Sequence, residues 1–166
     1  MAHKHPEEAV FREFLVAILL HNEAVADRLG LQPVDVAATM LLETRGPLAV
    51  GAIAEELGLP SASTTRLIDR LEKAGYVRRV RGERDRRMVT VELVEGGMDD
   101  YDAACAASRR HLDALAVHYG PEQVPLLLDM FARVAVAYRS ATKELRQDAT
   151  SDAGHPAPRG VHTGHE

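Results

Sequence analysis

Ser61, Ser63, Thr65 and Arg66 crowd the start of one amphipathic stretch, and Arg70 follows Arg66 by a helical turn. Short hydroxyls, a guanidinium and the N–H groups of a helix start are the groups that read a polyanion. Arginine takes guanine O6 and N7 bidentately, while hydroxyls and helix N-terminal amides take phosphate. A second cluster, Arg84, Asp85, Arg86 and Arg87, lies further along the chain. An arginine gains from the negative potential of a narrow groove, and a carboxylate that braces it lowers the cost of ordering it. This is recognition chemistry, not bond-making. The chain has no phosphate-cradling glycine loop, no HExxH and no CxxC, so an enzyme is not expected, nor a cofactor or a metal site.

Such residues need a helix that projects and a hairpin that carries the second cluster. The segment AVGAIAEELGLPSASTTRLIDRLEKAGYVRRVRGERDRRMVTVEL, residues 49–93, offers both. Its first helix, about residues 51–57, points Ile53, Ala54 and Leu57 inward and stops at Gly58. After Leu59-Pro60 the next helix, about residues 61–74, takes Ser61 as its candidate N-cap and buries Thr64, Leu67, Ile68 and Leu71. Gly75 ends it. Residues 76–81 and 88–93 then alternate as strands around RGERDRR. A helix-turn-helix followed by a basic hairpin puts a helix in the major groove and the hairpin on the flanking backbone. Double-stranded DNA is therefore the expected partner. Arg66 is expected at a base edge, Arg70 and Arg84 on phosphate, and Arg86 or Arg87 in the minor groove.

Plainer readings stand beside these. Ser61 alone can cap, Arg66 can be a solvated face residue, and the hairpin can be a solvated charged loop. The same architecture also serves protein–protein docking, although such a wing has no need of Arg81, Arg84, Arg86 and Arg87 within seven residues.

The flanking segments are helical. Residues 7–29 carry Phe11, Leu15, Ile18, Val25 and Leu29 on one face, widened by Val10, Phe14 and Ala17, a stripe suited to more than one partner helix. Pro33 and Asp35 open a second helix, which runs through Ala37, Met40 and Leu41 to about Thr44 before Gly46-Pro47 closes it. Residues 48–50 read as a short extended piece. Two long helices follow at residues 98–119 and 121–147. Tyr101, Cys105, Ser108, Leu112, Leu115 and Tyr119 stripe the first, and Val124, Leu127, Leu128, Phe131, Val134, Ala135, Tyr138 and Leu145 stripe the second. Residues 148–166, rich in Pro, Gly and His without periodic apolar residues, are expected to be disordered.

Composition bounds the class without naming it. The 166 residues carry a net charge of −5, yet residues 60–93 hold nine Lys/Arg against five Asp/Glu, a local +4 beside −9 elsewhere. A basic patch on an acidic body is an electrostatic footprint for nucleic acid. The one cysteine, Cys105, leaves no intrachain disulfide and fits a reducing cytoplasm. It lies on an apolar stripe without a basic sequence neighbour, which favours packing over redox sensing. MAHKHPEE lacks a signal-peptide h-region, and no apolar run approaches membrane-spanning length, so cytoplasmic localisation is expected. Of eight histidines, His3, His5, His155, His162 and His165 lie near the termini, while His21, His111 and His118 flank apolar stripes. The spacing of His111 and His118, seven residues, is too wide for one ion without a partner helix.

GPLAVGAIAEELGLPSASTTRLIDRLEKAGYVRRVRGERDRRMVTVEL, preceded by RLGLQPVDVAATMLLE, resembles the MarR family of winged-helix regulators, with Asp85-Arg86-Arg87 at the wing position. Gly82 and Glu83 replace the family's usual Asp-Pro, and Val94 replaces a common threonine. The resemblance covers roughly residues 7–147. It implies a homodimer built from the first and last two helices, a near-palindromic operator, and repression relieved by a ligand or oxidant. It also supports Asp85 as the brace of a wing arginine, and it implies a small-molecule effector between the first two helices and the fifth. The expected fold is mainly α with a small β-hairpin wing: a winged helix-turn-helix domain plus a helical dimerisation domain. The expected parts are a tail at residues 1–6, a dimerisation helix at 7–31, the DNA-binding domain at 32–95, dimerisation helices at 96–147 and a tail at 148–166.

Overall fold

The computed structural model describes residues 6–81 and 89–152. Helix α1 spans Pro6–Leu29 and α2 spans Pro33–Arg45; β1 is Leu48–Ala49, α3 Val50–Leu57 and α4 Ser61–Lys73. Strands β2, Val77–Arg81, and β3, Val89–Leu93, precede α5, Asp99–Tyr119, and α6, Val124–Asp152. The chain divides into two compact units, residues 1–111 and 112–166. Arg84, Asp85, Arg86, Arg87, His3, His5, His155, His162 and His165 lie outside the described residues.

The first unit is built around the expected stripe of α4. Leu67, Ile68 and Leu71 pack in one cluster with Ala38, Leu42, Ile53, Tyr76, Val77 and Val91. Thr64 is fully buried beside them, and its hydroxyl donates to the Pro60 carbonyl at 3.2 Å, so a polar atom enters the core satisfied. Gly58, at φ 65° and ψ 38°, closes α3 in the left-handed conformation that a side chain disfavours.

Several boundaries differ from expectation for local reasons. Ser61 is the first helical residue of α4, and Pro60 occupies the N-cap position without a side-chain bond. The expected Ser61 cap is therefore replaced by Pro60, whose carbonyl accepts the Ser63 and Thr64 amides at 2.9 and 3.0 Å. Residues 48 and 49 are more than an extended link. They pair antiparallel with β3, Leu48 with Val91 and Ala49 with Thr90, giving a three-stranded sheet in the order β1-β3-β2. In α2 the buried face is Asp35, Val36, Ala38, Thr39 and Leu42, whereas Ala37 and Met40 face out. Two of those buried residues are polar, which blurs the apolar period; Thr39 is satisfied by donating to the Val36 carbonyl at 2.9 Å. Helix α6 starts at Val124 and continues past Gln147 to Asp152, since a helix can outrun its apolar face.

Candidate nucleic-acid interface

Burial of Thr64, Leu67, Ile68 and Leu71 turns the opposite side of α4 to solvent: Ser61, Ala62, Thr65, Arg66 and Asp69 are exposed, and Ser63 is half-buried. At 13 residues the helix is roughly 20 Å long, slim enough for a major groove about 12 Å wide. Thr65 returns its hydroxyl to the Ser61 carbonyl at 3.0 Å, and Arg66 Nη2 donates to Ser63 Oγ at 3.2 Å. Of the expected recognition residues, the structure gathers Ser61, Ser63, Thr65 and Arg66 at one end of α4. The local Arg66–Ser63 bond holds the guanidinium near the helix start.

Arg70 is placed differently. Its Nε donates to Asp35 Oδ2 at 3.2 Å, and its Nη2 to Asp35 Oδ1 at 2.6 Å and Gln32 Oε1 at 3.3 Å. The Asp35 side chain is 1% exposed and that of Arg70 43%. The hydrogen bond to Asp35 raises the Arg70 guanidinium above its ordinary range, against the opposing effect of burial. A cleft of about 480 Å³, lined by Gly30, Gln32, Asp35, Arg70 and Lys73 among others, opens beside the pair.

A second clamp ties α4 to the wing. In the β2–β3 register Arg79 stands opposite Val91, on the face shared with Val77. Its guanidinium bonds Asp69 at 2.6 Å and also Glu72, and its backbone N–H donates to Glu72 Oε1 at 3.2 Å. The Asp69 bond leads the causes that raise the Arg79 guanidinium. On the other face Arg78 Nε bonds Glu92, its cross-strand neighbour, at 2.7 Å. Pairing therefore sorts the basic residues. Arg70, Arg78 and Arg79 are held by acids, while Arg66, Lys73 and Arg81 have no acidic partner among the described residues.

Sequence reasoning missed Asp35 and Arg79 as architectural residues. Asp35 carries one local signal, its place three residues after Gln32, whose backbone N–H it accepts at 3.1 Å. Nothing local announces its partner on α4.

The other expectations sort plainly. Cys105 is buried. His21, His111 and His118 are exposed, and His118 packs edge-on against Tyr119 with centroids 5.0 Å apart. Among the described residues there is no cluster of three or more His, Cys, Asp or Glu arranged for a metal, and no helix long and apolar enough to cross a membrane.

Comparison with known proteins decides the family. The MarR family model matches residues 33–89, from the start of α2 to the start of β3. Over 139 residues the chain is 32% identical to the uncharacterized HTH-type transcriptional regulator YcgE of Bacillus subtilis (strain 168), covering 83% of this chain and 90% of that protein. The chain belongs to the MarR family. Its relatives are transcriptional regulators, and the winged helix-turn-helix expected from the residues is the fold observed. Solved structures share the fold. NadR in complex with 4-hydroxyphenylacetate aligns at a TM-score of 0.59 with 23% identity, over 81% of this chain and 96% of that one. A MepR mutant of S. aureus bound to an oligodeoxyribonucleotide aligns at 0.56 with 14% identity, over 81% and 99%. This MarR-family regulator thus carries its solvent-facing α4 residues within the segment that the family model matches.

Proposed function

We propose that the protein is a cytoplasmic homodimer that binds an inverted-repeat operator and represses transcription until a small ligand binds. The observation that carries this reading is the exposed Ser61–Thr65–Arg66 end of α4, held firm from behind by a buried apolar stripe. Arg66 takes a base edge, and Ser61, Ser63 and Thr65 take bases or the flanking phosphates. Arg84, Arg86 and Arg87, with Asp85 as brace, contact the backbone and minor groove beyond. The oligodeoxyribonucleotide on MepR and the 4-hydroxyphenylacetate on NadR support the two halves of the reading, operator and effector. The effector class is a small aromatic anion, and the protein acts by binding rather than by catalysis.

Selection of genomic fragments by the purified protein tests the reading. The expected product is an A·T-leaning inverted repeat with half-sites about one duplex turn apart, bound with Kd on the order of 10⁻⁸ to 10⁻¹⁰ M. Recovery of asymmetric sites, or of none above non-specific background, would sink it.

A further inference from the structure

A carboxylate that is 1% exposed is costly unless charge-paired and hydrogen-bonded. Asp35 meets that cost with two different partners. Oδ2 accepts the Gln32 backbone N–H at 3.1 Å and Arg70 Nε at 3.2 Å, while Oδ1 accepts Arg70 Nη2 at 2.6 Å. One side chain thereby joins the turn that starts α2 to the outer side of α4, across 35 residues of sequence. Arg70 completes the ring by donating to Gln32 Oε1 at 3.3 Å. Apolar stripes tolerate small rotations and slips, whereas a planar guanidinium on a carboxylate accepts one orientation. Arg66 lies one turn before Arg70 on the same helix, so a rotation of α4 that breaks the ring also re-aims Arg66.

We propose that Asp35 is a positioning residue for DNA recognition, fixing the rotation and register of α4 through Arg70, and that Arg70 works inside the protein instead of clamping phosphate. The proposal rests on the reading of α4 as the DNA-recognition helix. The pair is a latch on an otherwise greasy joint.

Two variants of the full chain test it. Asp35→Asn keeps shape and an acceptor but removes the charge. Arg70→Lys keeps a charge able to hold phosphate but removes the fork. Affinities for the selected operator and for a scrambled duplex are measured across a salt series, and amide exchange of α4 is followed without DNA. The latch predicts that each variant lowers the operator-to-scrambled ratio about tenfold. The salt slope stays unchanged, the double variant is no worse than the poorer single one, and α4 amides exchange faster. A phosphate clamp predicts the opposite pattern: Arg70→Lys is neutral, Asp35→Asn binds both duplexes equally well or more tightly, and exchange does not change. That pattern overturns the proposal. If Asp35→Asn fails to fold, Arg70→Lys carries the same comparison. If the wild type itself does not prefer its operator, the DNA-recognition reading fails. The exchange arm then decides the latch alone, faster exchange supporting it and unchanged exchange overturning it.

Discussion

Arg66 and Arg70 are one residue type, one turn apart on one helix, yet the structure gives them different surroundings. Among the described residues Arg66 faces solvent with the Ser63 hydroxyl as its hydrogen-bond partner, and Arg70 is engaged by a buried carboxylate. Arg66→Ala should therefore cost about 1–3 kcal/mol of operator affinity and relax preference at one position per half-site, because a lost base contact removes information. Competition binding with single-base operator variants measures this; unchanged affinity and preference would remove Arg66 from the base edge. Tyr101 offers a test by pH. Burial first, then a hydrogen bond with Cys105, pushes its hydroxyl up from 10.0 to about 12. The folded state thus holds the phenolic proton more tightly than the unfolded chain. The resulting stability is fully present below pH 10 and is lost as pH rises through about 12. Denaturation midpoints should fall across that window, and Tyr101→Phe should flatten the fall. An equal slope in the Phe variant would assign the alkaline loss to other groups.

At the scale of elements, the join between the wing and α5 depends on one residue without a side chain. A Cβ on Gly97 would stand 2.7 Å from the Tyr76 carbonyl oxygen and 2.9 Å from that of Val94, both backbone atoms with little room to yield. The Tyr76 carbonyl also accepts the Val94 amide at 3.0 Å, so displacing it disturbs the end of β3. Gly97→Ala should destabilise the fold by about 1–3 kcal/mol, as overpacking does, and urea titration checks it. A neutral result would mean that the turn relaxes at no cost. The strand pairing of residues 48 and 49 belongs to the same scale. Two residues carry too short a pattern to name a partner strand, and only the antiparallel contact with Val91 and Thr90 shows that the sheet has three strands.

For the whole molecule, the informative residues are the apolar ones left at the surface. Helix α1 exposes Val10, Phe11, Phe14, Val16, Ile18, Leu19 and Leu20, and buries only Val25 and Ala26. Helix α6 separately exposes Leu126, Leu128, Met130, Phe131, Val136 and Leu145. Surface of this kind is what a self-complementary interface covers. Sedimentation equilibrium at low micromolar concentration should give a dimer of the 18.1 kDa chain. A monomer there would contradict the dimeric reading, and with it the inverted-repeat operator. Truncating the α1 stripe, for example with Phe14→Ala and Leu19→Ala together, should weaken dimerisation and operator affinity in parallel.

The order of elements was legible from sequence because its signals are local. The apolar period of α4, the glycine that stops α3, the Leu-Pro turn and the alternation of Val89, Val91 and Leu93 each occupy a few neighbouring residues. The grouping of Ser61, Ser63, Thr65 and Arg66 at one helix end was legible for the same reason, as was the apolar excess of α1. Tertiary structure alone decided which charges are spent inside the fold. A charged residue has no period that points to its partner, and both Asp35 with Arg70 and Arg79 with Asp69 and Glu72 join different elements. Sequence sets Arg66 and Arg70 apart only by the DNA atoms expected for them, and it singles out no role for Arg79. Packing brings the buried Asp35 to Arg70 and the exposed Asp69 and Glu72 to Arg79, and leaves Arg66 facing solvent, because Coulomb attraction acts through distance in space and not along the chain.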